Sequence, residues 1–420
     1  MELQRAVRFA LFHTLQAGAR GERRPIPAKG LTGPGYDGHT FWDTEAFVLP
    51  LLTYTRPRSV SDALRWRHQT LDLARERARA LGLRGAAFPW RTIAGEECSG
   101  YWPAGTAAFH INAAIANAVE RYQTVTEDET FEREAGVELL VETARLWRSL
   151  GRHDSAGRFR IDGVTGPDED SAIAENNVYT NPMAARNLRA AADAAARHPD
   201  VAEHLGVDDE EAASWRDAAQ TILIPYDEPL QVMALFFAGE VFTAEEKARD
   251  FAYYEQLTVR DSSLSACIQA IVAAEVGHVE LAYDYFAEAA LLDLDDREHN
   301  TRDGVHIASL AGACIIALAA FGGLRDHGGM LAFTPRLPPA LTRIAFSLRV
   351  PKNTQLRIDN EPTQSTYTLL TGEPIDIHHH GQPLRVTTDH PTRCATPPTP
   401  TLERPTQPPG REPKRRRAPA

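Results

Sequence analysis

Cysteine is scarce: Cys98, Cys267, Cys314 and Cys394 are the only four in 420 residues. They are too scattered for a disulfide framework, and no pair forms C-x-x-C, which excludes zinc-ribbon and thioredoxin-like chemistry. No run approaches the roughly 18 consecutive apolar residues that a membrane-spanning helix needs. The opening residues lack the apolar core and small-residue cleavage site of a signal peptide. Together these absences imply a reducing, cytoplasmic setting. β-Branched alternation is also sparse before residue 340, which argues against a parallel sheet. A net charge of −12 leaves no basis for a nucleic-acid-binding body.

Positive charge is concentrated at one end. Residues 391–420 hold nine of the 28 prolines and seven Arg or Lys, including Lys414-Arg415-Arg416-Arg417, against only Glu403 and Glu412. This composition predicts a disordered, Pro-rich basic tail of about +5 on a body of about −17. Ahead of it, Leu3, Val7, Leu11 and Leu15 start a series of helical patterns. A further run follows the Ser61-Asp62 cap to Gly82, and others lie near 105–123, 128–150, 182–197, 209–222, 230–238, 243–254, 262–277, 279–291 and 305–321. Short strand patterns take over at 330–333, 344–350, 356–358, 367–370 and 384–387. The predicted organisation is a helical domain over 1–327, a small β domain over 328–390, and the tail. Many paired helices without a fixed repeat point to a mainly α closed toroid of helix hairpins or an irregular bundle.

Several segments carry candidate chemistry. Gly33-Pro34-Gly35-Tyr36-Asp37-Gly38 matches G-x-G-x-x-G in form, but Arg-Arg-Pro-Ile-Pro-Ala-Lys before it is no buried strand, so a dinucleotide site is not expected. The glycines fit a long loop folding tightly beside a ligand. Two further segments place tryptophan beside acid. One is Phe41-Trp42-Asp43-Thr44-Glu45; the other runs from Phe88-Pro89-Trp90 through Glu96-Glu97 to Tyr101-Trp102. Aromatic faces stack on sugar C–H surfaces while carboxylates accept from hydroxyls, so the pair favours a carbohydrate cleft. The acidic turn Gly166-Pro167-Asp168-Glu169-Asp170 offers a carboxylic acid able to protonate a leaving oxygen. His306, with Ser309 one turn on, opens one helix; Arg260, Ser262 and Ser263 precede another, a combination suited to an oxyanion. The histidines and aspartates lack metal-ligand spacing, and His378-His379-His380 on a strand would point to alternate faces, so no metal is expected.

Taken together, these blocks resemble glycoside hydrolase family 65, which contains the maltose, trehalose and kojibiose phosphorylases. The resemblance is carried by Ile26-Pro27-Ala28-Lys29-Gly30-Leu31-Thr32-Gly33 through Glu45, by Phe88-Pro89-Trp90, and by Gly166-Pro167-Asp168-Glu169 with Asn176-Asn177-Val178-Tyr179-Thr180-Asn181. Asp303-Gly304-Val305-His306-Ile307-Ala308-Ser309 completes it. It spans about residues 3–345 and implies an (α/α)6 barrel with a small C-terminal β domain. By motif it implies Glu169 as general acid and Trp42 and Asp43 as glucosyl holders, beside the sugar-facing candidates Trp90 and Glu97. His306, Ser309, Arg260 and Ser263 would lie at a phosphate. The implied reaction is inverting phosphorolysis of an α-glucoside, with phosphate as co-substrate and no other cofactor. Asp303 is the only acid the sequence sets beside His306, which disfavours a hydrolase needing a second carboxylate for water.

Departures from the family pattern are equally specific. The resemblance implies a β-sandwich ahead of the barrel and several dozen residues, including a Lys-Gln pair, between Glu228 and Val232; neither is in this sequence. Asp170, Ala114 and Cys314 stand where the family has Tyr, Asp and Trp. The apolar run Val232–Phe237 is therefore expected to lose part of its cover. A non-catalytic, sugar-binding remnant and an α-glucoside hydrolase stay open as alternatives, as does a homodimer.

Overall fold

The computed structural model describes residues 2–19, 23–169, 172–225, 232–260, 262–326, 329–399, 402 and 404–413. Helices dominate as far as Phe321, and their sequences divide into two kinds. Ser265–Glu275 and Ile307–Ile315 are apolar around almost their whole circumference and lie buried. Pro57–Gln69, Asp209–Thr221 and Ala244–Glu255 carry apolar residues on one face and charge on the other. All-round apolar helices need a second layer to cover them, and amphipathic ones supply it. Neighbours pair along the chain, as Thr180–Arg197 does with Asp209–Thr221 and Ser265–Glu275 with Val279–Leu291. The first helix, Glu2–Ala19, packs on Ile307–Ile315 and so closes the ring. This is the (α/α)6 toroid. Among the described residues, no helix is long and apolar enough to cross a membrane.

Three helical stretches widen into π-helix: Thr44–Val48, Glu132–Gly136 and Ile316–Phe321. The first continues into Leu49–Thr55, and a buried ion pair anchors it, Arg67 Nε donating to Glu45 Oε1 at 2.7 Å. The sequence patterns miss this helix because nearly every side chain from Thr44 to Tyr54 is buried, leaving no polar face to give a period. The helix expected after Ser61-Asp62 starts earlier, at Pro57, where proline suits the first turn.

Beyond Phe321 the chain forms two four-stranded sheets. One has the order Gln382–Val386, Ile375–His379, Ala332–Phe333, Leu324–Arg325; the other has Thr392–Ala395, Gln364–Thr371, Thr354–Asn360, Ile344–Val350. Phe333 of the first sheet meets Tyr367 of the second with ring centroids 5.4 Å apart, and Tyr367 Oη and His379 Nδ1 lie 2.8 Å apart. The 327/328 boundary and Lys414–Arg417 lie outside the described residues.

The expected disordered tail is corrected over much of its length. Thr392–Ala395 is a sheet strand. Farther on, Arg404 pairs with Asp284 at 2.9 Å. Gln407 Nε2 donates to Glu255 Oε2 at 2.6 Å and reaches Tyr285 Oη at 2.8 Å, and Arg411 Nη1 donates to the Leu257 carbonyl at 3.0 Å. Among the described residues, polar contacts with the barrel hold this segment, and Cys394 and Leu402 add apolar contact with the core and with Gly277. Glu255, 3% exposed and with its pKa raised by burial, also accepts from Tyr285 and Gln269. Gln407→Ala removes one of these donors and is expected to cost about 1–3 kcal/mol. A urea melt of the variant beside the parent chain measures that loss.

Candidate active site

A long segment, residues 23–39, has little regular structure beyond the 3-10 turn Gly35–Gly38 and must satisfy its backbone in other ways. It does so partly within itself and partly against the turn before Ile307. Ile307 N donates to Ala28 O at 3.1 Å, and Val305 N donates to Thr32 Oγ1 at 2.9 Å. The glycines permit this approach: a β-carbon at Gly35 would lie 2.6 Å from the Asp303 carbonyl oxygen, and one at Gly33 would lie 2.5 Å from Gly304 N. The segment then enters the short strand Thr40–Phe41, which pairs antiparallel with Arg91–Thr92. The two tryptophan-and-acid loops singled out in the sequence therefore meet through backbone pairing.

Trp42 and Asp43 follow that strand. Trp42 is 5% exposed, with its ring edge-on to His110 at 4.9 Å and to Tyr179 at 5.8 Å. Opposite stands the acidic turn, a loop closed at its base by paired Val164 and Ala174. Asn177 holds the neck of this loop, its Oδ1 accepting from Tyr179 N and Thr180 N at 3.0 Å each. Gly166 packs on the Asn177 side chain so closely that a β-carbon would lie 2.3 Å from it. Glu169 sits exposed beyond this neck, and Asp170 lies outside the described residues. Burial, and then the Glu169 carboxylate, raise the Asp43 pKa to about 7. Tyr36 is raised as well, by burial and by the fields of Asp43 and Glu169. Tyr36, Asp43 and Glu169 therefore share one site, whereas the sequence had marked only the two acids.

The other candidates divide. Trp90 is buried edge-on against Phe41 at 5.2 Å and Trp102 at 5.1 Å, so it supports the loop. Glu97 pairs with Arg77 at 2.9 Å and accepts from Ser99 N at 2.8 Å, commitments that compete with a sugar hydroxyl. Ser309 is buried, its Oγ donating to the Ser263 carbonyl at 2.9 Å. Arg260 pairs with Glu288, donates to the Arg411 carbonyl and lies 4.7 Å over the Tyr285 ring. Arg260, Ser309 and the Ser263 carbonyl thus each have a partner within the protein. His306 also departs from expectation. Its neighbouring acid is Asp293, not Asp303, with Nδ1 2.8 Å from Asp293 Oδ1. The chain doubles back between them, so residues 13 apart come into contact.

The apolar run before the barrel's last third is corrected too. Ala234, Leu235 and Phe237 are buried, and the Phe237 ring meets Phe47 at 5.7 Å, Tyr179 at 5.9 Å and Trp42 at 6.5 Å. The side chains of residues 232–233 and the join at 228–230 lie outside the described residues. A cavity lined by Tyr54, Arg121, Phe236, Phe237, Arg325 and Asp326 includes none of Trp42, Asp43, Glu169 or His306.

Comparison with known proteins now decides the lineage. A sequence model of the "Glycosyl hydrolase family 65 central catalytic domain" matches residues 8–234 and 230–315, and that of the "Glycosyl hydrolase family 65, C-terminal domain" matches 324–386. The chain belongs to glycosyl hydrolase family 65. An uncharacterized glycosyl hydrolase of Mycobacterium tuberculosis is 53% identical over 464 aligned positions, covering 99% of this chain and 59% of the relative. The α,α-trehalose phosphorylase of Geobacillus stearothermophilus is 40% identical, covering 93% of this chain and 58% of its own length. A solved structure from the human microbiome that carries the name of a kojibiose phosphorylase superposes with a TM-score of 0.86 at 26% identity. It covers 96% of this chain and 66% of its own. The chain thus spans somewhat under two thirds of these family 65 relatives. The catalytic-domain match falls in two pieces that overlap at 230–234.

A carboxyl raised from 3.8 to about 7 holds more protons folded than unfolded, so it lowers stability as pH climbs through that interval. Asp43→Asn should therefore be the more stable protein at pH 8, by on the order of 2 kcal/mol, with the gain shrinking toward about pH 4.5. Urea unfolding at the two pH values tests this; a gain that grows toward acid would contradict the origin given for the shift.

Proposed function

We propose that this protein phosphorolyses an α-glucosyl disaccharide of the maltose, trehalose, kojibiose or nigerose type with inversion, giving β-glucose 1-phosphate and a free sugar. The observation that carries the reading is the pairing of an exposed acid on a braced loop, Glu169, with a hemmed-in acid beside an aromatic floor, Asp43 beside Trp42. In this reading Glu169 protonates the departing glycosidic oxygen. Asp43 accepts from glucosyl hydroxyls, and Trp42 lies against the ring. Phosphate attacks the anomeric carbon from the opposite face. It is already an anion, so a second carboxyl to activate a nucleophile is unnecessary.

Asp293 supports phosphate over water as the nucleophile. Its side chain is 1% exposed and its two oxygens accept from His306 N and the His306 ring, so it is committed to holding that residue and is poorly open to a water molecule. The partners in this reading are a small α-glucoside and inorganic phosphate. A second reading, a sugar-binding member without turnover, draws on Phe237, an apolar ring packed 6.5 Å from Trp42.

Glu169→Gln is expected to lower turnover about 10²–10⁴-fold while leaving the melting temperature unchanged, since the amide on an exposed turn cannot donate the proton. An α-glucoside with an activated leaving group should recover part of that loss. Glucose 1-phosphate appearing only when phosphate is added supports phosphorolysis. Phosphate-independent glucose would favour a hydrolase, and saturable sugar binding without either product would favour the second reading.

A further inference from the structure

We propose that Asp293 is the positioning residue of the anion subsite, fixing the His306 ring and standing as shared counter-ion to His306 and Lys29, which together receive the phosphate oxygens. The identity of the anion rests on the phosphorolysis reading; the role of Asp293 rests on geometry. Asp293 follows the helix Val279–Leu291, and its carboxylate accepts twice from one residue, from His306 N at 2.7 Å and from the His306 ring at 2.8 Å. A carboxylate has no proton to give, so His306 Nδ1 carries the hydrogen and Nε2 is the ring's one remaining polar atom.

Part of the donor set at this helix start is already taken. Val305 N, His306 N and Ile307 N donate to Thr32, Asp293 and Ala28, and the hydroxyl of Ser309 donates to Ser263. An anion held here would therefore draw on side-chain cations beside the amides that follow Ile307. His306 is one. Lys29 is the second: it is 4% exposed, and no carboxylate of the described residues forms an ion pair with it within 4.0 Å. Close packing fixes its stem, since β-carbons at Gly35 and Gly304 would lie 3.0 Å and 2.9 Å from Lys29 carbons. Its ammonium lies 5.4 Å from the centre of the Tyr36 ring, the same Tyr36 that feels Asp43 and Glu169. On its other side it feels Asp293 and Asp303, while burial draws its pKa down. His13 of the first helix is a further group in the field of Asp293. Lys29 thus stands between the acid end of the site and the His306 end. Asp293 and Asp303 reach this buried ammonium only as longer-range fields, not as contact ion pairs, so a dianion in direct contact would relieve part of its burial cost.

The test titrates the full chain with orthophosphate by calorimetry and follows the histidine ring protons by NMR, assigning His306 by loss of its signal in His306→Gln. The parent chain should bind orthophosphate and show a downfield Nδ1–H proton at His306. Asp293→Asn should weaken phosphate about tenfold or more, abolish or shift that proton, and leave the disaccharide KM within about twofold. Lys29→Met, which leaves the buried carboxylate in place, should weaken phosphate comparably, and Lys29→Arg should restore part of it. Unchanged phosphate binding in Asp293→Asn or in Lys29→Met overturns the assignment, as does an Nε2–H tautomer in the parent. If the parent releases glucose without phosphate, the phosphorolysis reading falls, and the ring-proton measurement still decides whether Asp293 sets the tautomer.

Discussion

Everything at the mouth of the barrel depends on one seam, where an irregular stretch of backbone lies against the turn that precedes Ile307. Chain without helix or sheet must find its hydrogen bonds elsewhere, and here the partners are Ala28, Thr32, Val305 and Ile307. Gly33, Gly35 and Gly304 allow the two backbones to touch. The seam hands its geometry on in both directions. Toward the N-terminal side it presents Lys29 and Tyr36 and then delivers Trp42 and Asp43; toward the C-terminal side it orients His306. Loosening it would disturb the sugar end and the anion end together.

Hydrophobic period made the helical architecture legible from sequence. Val279–Leu291 has the bounds read from its pattern, and the strand Ile344–Val350 was found with the same accuracy. Period failed where burial is complete, as at Thr44–Thr55, because a helix wrapped on all sides has no polar stripe. Composition misled at residues 402–413 for the opposite reason. A segment without apolar bulk can still be held when a buried acid such as Glu255 needs donors, and no average over residue types records that need.

The site was legible as residue types and illegible as commitments. Glu169, Asp43, Trp42 and His306 stand out as chemistry in the sequence. Arg260, Glu97 and Ser309 look just as promising there, yet each has partners supplied by distant chain: Glu288, Arg77 and Ser263. Asp293 drew notice in the sequence only with Asp295 and Asp296, as an acidic run without metal-ligand spacing, and only the return of the chain distinguishes it from them. A candidate's remaining hydrogen-bonding capacity, which decides whether it can hold a ligand, is a property of the fold.

The π-helical turn at Thr44–Val48 bears on how this site can change over evolutionary time. A π-turn holds one residue more than the α-turn it replaces, and each residue of an α-helix advances about 100° around the axis. Losing a single residue there would let the helix relax to ordinary spacing at small cost in packing. It would also turn Asp43 by about 100° relative to the helix Leu49–Thr55 that follows. The acid would still be encoded, next to the same tryptophan, but no longer in its present direction. Within this stretch, insertions and deletions are therefore more damaging than most substitutions, and a homologue with every motif residue in place can still have lost its site through a change of register.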